Sequence, residues 1–233
     1  MDNINRRKAP PELVGEFRKT IVEVPGVIEK ECSGIRLFGK TIHSLLFSTD
    51  IAIIKNTNAD AIIAVYPFTP HPAITNAIME VADVPVLCGV GGGTTQGQRS
   101  VNIALHAEFQ GAIAVVLNAP ASLETIRTVK DTIDIPVVVT IVSDLTDIGE
   151  RLGSGADILN VSGGASTAMI VKKIRGQYPD LPIIATGGGT YDSIMATIDA
   201  GANAITYTPP TNGELFRVKM DHYREEENMK HNS

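Results

Sequence analysis

Three side chains in the first third of the chain could move a proton. Asp50 follows Leu46-Phe47-Ser48-Thr49, and a carboxylate directly after an apolar run can act as a general base or cap the helix that begins there. Tyr66 ends the run Ala61 to Tyr66 and could donate a phenolic proton, stack on a ring, or only pack. His71 stands between Pro70 and Pro72; imidazole suits acid–base work near neutral pH, though a loop histidine can also be idle. Cys88 is either a nucleophile or a small core residue. Two glycine clusters accompany them. Thr186-Gly187-Gly188-Gly189-Thr190 runs into a helix start at Tyr191-Asp192. The backbone N–H groups of Gly187, Gly188, Gly189 and Thr190 could cradle a phosphate at that helix end, or the glycines only make a turn. Asp192 would repel the anion unless it faced away. Gly89-Val90-Gly91-Gly92-Gly93-Thr94-Thr95 lacks dinucleotide-binding spacing. It reads as a mobile flap, as a second anion nest at Gly91, Gly92 and Gly93 with Arg99 nearby, or as a loop without a ligand. Gly163, after Asn160-Val161-Ser162, is a further candidate for anion contact.

What is missing narrows the chemistry. No lysine falls at a strand end, against Schiff-base chemistry. No His-x-His pair or strand-end carboxylate cluster suggests a metal site; Asp50, His71 and Asp144 could meet only by accident of the fold. The serine-hydrolase elbow Gly-x-Ser-x-Gly does not occur. His106 and Glu108 lie two apart on a helical stretch and share no face, so they read as structural.

The elements that must position these residues are legible as a two-stroke repeat. Asn58-Ala59-Asp60, Gly111-Ala112-Ile113, Gly155-Ala156-Asp157 and Gly201-Ala202-Asn203 each lead into an apolar strand. Between them sit three proline-led strands, at Val84-Pro85-Val86, Ile135-Pro136-Val137 and Leu181-Pro182-Ile183. Glycine ends a helix where a left-handed backbone is needed. Proline tolerates the first position of a strand, where a lost N–H costs little. With Ser44-Leu45-Leu46-Phe47 the count is eight strands, starting near Leu45, Ala61, Val86, Ile113, Val137, Ile158, Ile183 and Ala204. They are spaced by about 23 residues, room for a strand, a helix and two short loops. The spacing predicts an α/β fold, a (β/α)8 TIM barrel of eight parallel strands, with its working face at the strands' C-terminal ends. Residues 1–40 read as an N-terminal extension bracing the barrel, with a short helix over Leu13 to Glu23 and a strand from Ile35 to Lys40. Residues 41–233 read as the single barrel domain, closing with a helix from Phe216 that frays into charge.

Composition excludes several classes. The chain has 233 residues, 43% of them hydrophobic, enough for a large core. No apolar run approaches the roughly 18 residues that span a bilayer. The polar start, Met1 to Pro11, lacks a secretory pattern. Two widely spaced cysteines, Cys32 and Cys88, fit neither a disulfide framework nor a zinc site and suit a cytoplasmic protein. A net charge of −6 speaks against nucleic acid as partner.

Four long motifs carry a resemblance: Asn56-Thr57-Asn58-Ala59-Asp60-Ala61, Ala64-Val65-Tyr66-Pro67-Phe68-Thr69-Pro70, Gly89 through Gly97, and Thr206-Tyr207-Thr208-Pro209-Pro210-Thr211-Asn212-Gly213-Glu214. The stretch that holds them resembles an uncharacterised bacterial TIM-barrel family often labelled "hydrolase". That resemblance implies the barrel and assigns no catalytic residue. More distantly, Gly187–Gly189 is similar to the phosphate loops of ribulose-phosphate-binding and FMN-binding barrels.

These readings converge on an enzyme, a hydrolase or lyase without a bound cofactor. It would act on a phosphorylated or otherwise anionic small metabolite, with Asp50, Tyr66 or His71 doing the chemistry. A non-catalytic metabolite sensor and an FMN-binding oxidoreductase are the alternatives. Homo-oligomerisation is left open, and neither nucleic acid nor membrane is an expected partner.

Overall fold

The alternating steps divide the work of holding strand heads together. A computed structural model describes Pro11, Leu13, Gly15 and residues 21–231. After a short helix α1 (Gly26–Glu31) and a hairpin of β1 (Ile35–Leu37) and β2 (Lys40–Ile42), the barrel strands follow. They are β3 (Ser44–Phe47), β4 (Ala61–Ala64), β5 (Val86–Gly91), β6 (Ala114–Leu117), β7 (Val137–Ile141), β8 (Ile158–Val161), β9 (Ile183–Thr186) and β10 (Ala204–Tyr207). All pair in parallel and close in the order β10-β3-β4-β5-β6-β7-β8-β9. The helices between them are α2 (Ile51–Lys55), α3 (Pro72–Val81), α4 (Gln98–Phe109), α5 (Leu123–Lys130), α6 (Ile148–Gly153), α7 (Thr167–Gln177) and α8 (Tyr191–Asp199), and α9 (Asn212–His231) follows β10. The eight expected strands are all present, each starting within one residue of its expected place.

Gly111, Gly155 and Gly201 take left-handed φ values of +93°, +107° and +106°, as helix ends require. The third residue of each step then reaches sideways. Asp60 Oδ2 accepts from the Ser44 N–H (3.1 Å), Asp157 Oδ2 from Val137 (2.8 Å), and Asn203 Oδ1 from Ile183 (2.9 Å). The proline carbonyls take the reciprocal part: Pro85, Pro136 and Pro182 accept from the N–H groups of Ile62, Val115 and Leu159. Every such bond sits at the N-terminal rim, where a strand head would otherwise leave buried donors unpaired.

Side chains alternate across the sheet. Leu46, Ile62, Val86, Val115, Val139, Leu159, Ile183 and Ile205 face the helices in one buried cluster. Leu45, Ala61, Ile63, Leu87, Val116, Val138, Ile158, Ile184 and Ala204 fill the barrel interior. Ile35 and Ile42 of the hairpin join that interior cluster, so the single strand expected over Ile35–Lys40 is a two-stranded turn through Phe38 (φ +44°) and Gly39 (φ +84°).

The sector after β10 is filled from the other end of the chain. Val22 bridges to Thr57, Val24 N–H donates to Asn58 Oδ1 (2.7 Å), and Gly34 N–H donates to Asn203 O (2.8 Å). Between these ties α1 packs on α8 and buries Ile28 completely in the cluster of Leu46 and Ile205. With that place taken, α9 covers no core, and its residues from Asn212 to Lys230 are exposed. The helix expected over Leu13 to Glu23 lies mostly outside the described residues; its last part, Ile21 to Glu23, is not helical.

Candidate active site at the barrel mouth

Two residues above the apolar layer, the inward positions of five consecutive strands turn polar. Val116 gives way to Asn118, Val138 to Thr140, Ile158 to Asn160, Ile184 to Thr186 and Ala204 to Thr206. With Ser162 and Thr208 above them they form one wall of a cavity of about 220 Å³. Phe47, Ile63 and Val65 make the opposite, apolar wall. A chain of hydrogen bonds crosses the polar wall: Asn160 Nδ2 donates to Thr140 Oγ1 and Thr140 Oγ1 donates to Asn118 Oδ1, each at 3.2 Å. Thr186 Oγ1 donates to Ser162 Oγ at 3.3 Å. Two buried atoms in the wall have no partner among the described residues, Asn160 Oδ1 and Thr206 Oγ1, in residues only 8% and 5% exposed. Leaving such groups unpaired costs about 1–3 kcal/mol each, and they are the atoms a ligand would satisfy.

A second cavity of about 310 Å³ adjoins the first, sharing Val65 and Asn118. Its walls are the loops Tyr66–Pro70 and Gly91–Thr95. Tyr66 Oη accepts the His71 N–H (2.9 Å), which leaves its own proton to donate outward. Among the described residues lining the two cavities, Tyr66 is the single ionisable side chain.

The glycine-rich wall is pinned. Gly92 and Thr95 exchange backbone bonds of 2.8 and 3.2 Å around a tight turn. Thr95 Oγ1 donates to Thr69 Oγ1, Gln96 Nε2 to Gly93 O, and Ser100 Oγ to Thr95 O. A Cβ on Gly91 would lie 2.0 Å from Ser100 Oγ, and one on Gly92 2.4 Å from Asn118 O. Gly91, Gly92 and Gly93 line the second cavity, and close packing explains the first two. Of the three readings of this loop, the bonds holding the turn favour a fixed wall over a flap.

The remaining expected residues fall elsewhere. Asp50 is the N-cap of α2, its Oδ1 accepting from Ala52 N–H (2.9 Å) and Ile53 N–H (3.3 Å), and it lines neither cavity. His71 is the N-cap of α3: its Nδ1 accepts from Ala73 N–H (3.2 Å), which puts the neutral ring's proton on Nε2. In the Gly187–Thr190 cradle, Gly187 N–H donates to Thr206 O and Thr190 N–H to Ser193 Oγ within a capping box, so two of the four donors are already used. A Cβ on Gly187 would meet Ile205 at 2.6 Å, a packing reason for that glycine. Gly163 N–H donates to Thr167 Oγ1 (3.1 Å). Cys88 packs outside the barrel against the helices, and burial pushes its thiol up to about 12. Among the described residues no group of three or more His, Cys, Asp or Glu side chains could hold a metal ion, and no helix is long and apolar enough to cross a membrane. The polar ring of Asn118, Thr140, Asn160, Thr186 and Thr206 was visible in sequence as strand ends. Its signal was the inward register, which a search for titratable groups passes over.

No protein-family model and no curated protein matches the chain in sequence, so the likeness to the "hydrolase" family rests on the four motifs. Solved structures share its fold. A candidate phosphonomutase from Burkholderia cenocepacia J2315 superposes with a TM-score of 0.60 at 14% identity, covering 87% of this chain and 98% of that one. Phosphonopyruvate hydrolase in complex with oxalate and Mg²⁺ gives 0.57 at 12%, covering 86% and 82%. Dihydrodipicolinate synthase from Bacillus anthracis gives 0.54 at 17%, covering 71% and 69%. At these identities the likeness is one of fold: the chain is a TIM barrel.

Proposed function

We propose that this barrel is an enzyme of the hydrolase or lyase class that takes a small anionic metabolite into its mouth. The observation that carries the reading is the pair of unpartnered buried atoms, Asn160 Oδ1 and Thr206 Oγ1, at the end of the barrel where such folds work. Neutral amides and hydroxyls hold polarity in a partly dry cup without the desolvation cost of a buried charge. Of these groups the donors, the Thr206 hydroxyl and the Nδ2 hydrogens of Asn118, would stabilise an oxygen that gains charge in the transition state, while Asn160 Oδ1 would accept from a ligand hydroxyl or amine. Tyr66, with its oxygen fixed by the His71 N–H, is the proton donor of this scheme. The fold neighbours that act on phosphonopyruvate or carry oxalate fit the same scale of ligand, by analogy of fold.

The test begins with a thermal-shift screen of small organic acids and their phosphorylated counterparts, followed by turnover assays on any that bind. Tyr66→Phe should then cut turnover by about 10²-fold or more while leaving affinity within about twofold. One observation favours a second reading. Among the described residues neither cavity is lined by a carboxylate, an imidazole or an ammonium group, which suits a sensor that binds without reacting. A ligand that binds at the mouth and is recovered unchanged, with Tyr66→Phe silent, would select that reading.

A further inference from the structure

The polar wall constrains its ligand more tightly than a list of donors and acceptors suggests. Thr140 has one hydroxyl hydrogen and stands between two amides. With Thr140 donating to Asn118 Oδ1 and accepting from Asn160 Nδ2, Asn118 offers its Nδ2 hydrogens to a ligand and Asn160 offers Oδ1. Turning both amides over gives the reverse arrangement, which is equally self-consistent. In that case Thr140 donates to Asn160 and accepts from Asn118, and the two free ends exchange roles. If both amides donated to Thr140, its hydrogen would be stranded; if both accepted, one would lack a donor. The arrangement that satisfies all three groups therefore always leaves one amide donor and one amide acceptor for the ligand. Thr140 and Asn160 are direct neighbours in the β7–β8 register, and the buried, unpartnered Thr206 hydroxyl stands on the same wall.

Resting on the mouth as the binding site, we infer that the ligand is a short hydroxy acid, a compound that brings a hydroxyl donor and a carboxylate acceptor together on one or two carbons. The hydroxyl donates to the amide oxygen and the carboxylate accepts from the amide nitrogen, while the Thr206 hydroxyl donates to the carboxylate. The carbon skeleton lies against Phe47, Ile63 and Val65 on the opposite wall. A cavity of about 220 Å³ holds roughly seven water-sized groups, the size of glycerate or lactate. A 2-oxo acid of the same length has the acceptor but no donor, and would leave the amide oxygen buried and unpaired. Sites built to bond a hydroxyl discriminate strongly against analogues that lack it.

The experiment compares lactate and glycerate with pyruvate and propionate at matched ionic strength. It reads the thermal midpoint of the full chain and the side-chain amide resonances of Asn118 and Asn160. The hydroxy acids should raise the midpoint by about 3–6 °C at ten times their Kd and move both amide resonances. Pyruvate and propionate at the same concentration should bind at least about tenfold more weakly. Asn160→Asp, which puts acceptors at both positions and a charge beside the carboxylate, should abolish the response. If pyruvate matches lactate and Asn160→Asp abolishes both, the hydroxy-acid assignment fails and the mouth still binds acids. If none of the four moves either the midpoint or the amide resonances, the hydroxy-acid assignment and the mouth reading fall together. The resonance readout uses the unaltered chain, so the outcome stands even if the variant does not fold.

Discussion

Thr206, Thr186 and Thr140 line the same cavity and differ in what their hydroxyls touch: nothing, one oxygen, and two amides. Replacing each with valine keeps the shape and deletes the hydroxyl, so the three stability changes should differ in sign as well as size. At Thr206, 5% exposed, the deleted group is an unpaired buried hydroxyl. Its removal recovers a desolvation cost of about 1–3 kcal/mol, so Thr206→Val should stabilise the unliganded protein by about 1–2 kcal/mol. For a chain of this length that is a rise of about 2–8 °C in melting temperature. Thr186→Val loses one long bond to the half-buried Ser162 hydroxyl, which water can replace, at a cost of about 0.5–1 kcal/mol. Thr140→Val breaks two bonds and strands Asn160 Nδ2 in a residue only 8% exposed, costing about 2–3 kcal/mol. Urea unfolding followed by circular dichroism reads all three, provided the denaturant slope stays constant. The stabilised Thr206→Val protein should also bind its ligand more weakly, the usual exchange between stability and function at a site. If Thr206→Val is destabilised as much as Thr140→Val, the Thr206 hydroxyl already has a partner in the folded protein, and the argument for a ligand-facing orphan collapses.

Three further outcomes follow from the same reasoning. Asp157→Ala should cost about 2–3 kcal/mol, because the buried Val137 N–H loses its acceptor. Lys130→Met, which removes only the half-exposed ion pair to Asp157, should cost no more than about 1 kcal/mol, and equal losses in urea titrations would contradict that split. Asp50→Asn should change stability by only a few tenths of a kcal/mol and leave ligand affinity and turnover within about twofold, since asparagine caps as well as aspartate; a loss of turnover above tenfold would give Asp50 a chemical role beyond the cap. Burial raises both thiols from their ordinary 9.0, Cys88 to about 12 and Cys32 to about 11. A raised folded pKa gives stability that is complete below pH 9 and is lost as pH climbs from there through 11 and 12. Cys88→Ala should therefore flatten the decline in unfolding free energy from urea titrations between pH 8 and pH 10, by about 1 kcal/mol, and an unchanged slope would mean that the thiol is not shielded.

The barrel was readable in sequence because its closure is written locally. A proline at a strand head, a left-handed glycine at a helix end and an Asp or Asn two residues later recur at each step, and Pro136 and Asp157 each answer a hydrogen-bonding demand of the strand next to their own while Gly155 ends the helix between. What was not readable depends on segments far apart in sequence. Nothing local in Val22 to Cys32 announces that it takes the sector after β10, nor that α9 is thereby left outside. The glycine clusters were ambiguous for a different reason. An anion nest and a close approach of two chain segments both demand the absence of a Cβ. Only the neighbours of Gly91, Gly92 and Gly187, namely Ser100, the Asn118 carbonyl and Ile205, distinguish the two. The site was half visible. Asp50 and His71 drew attention because they titrate, yet each spends an acceptor atom on a helix N-terminus. The mouth is instead lined by Asn118, Thr140, Asn160 and Thr206, residues of no charge whose importance comes from their register above an apolar layer. In a partly buried cup an uncharged amide keeps its directionality, whereas an unpaired carboxylate would forfeit several kcal/mol in desolvation. The ring was legible in sequence as strand ends, and its inward direction follows from the same pattern, because the period of two that places Val116, Val138 and Ile158 inside also places Asn118, Thr140 and Asn160 there.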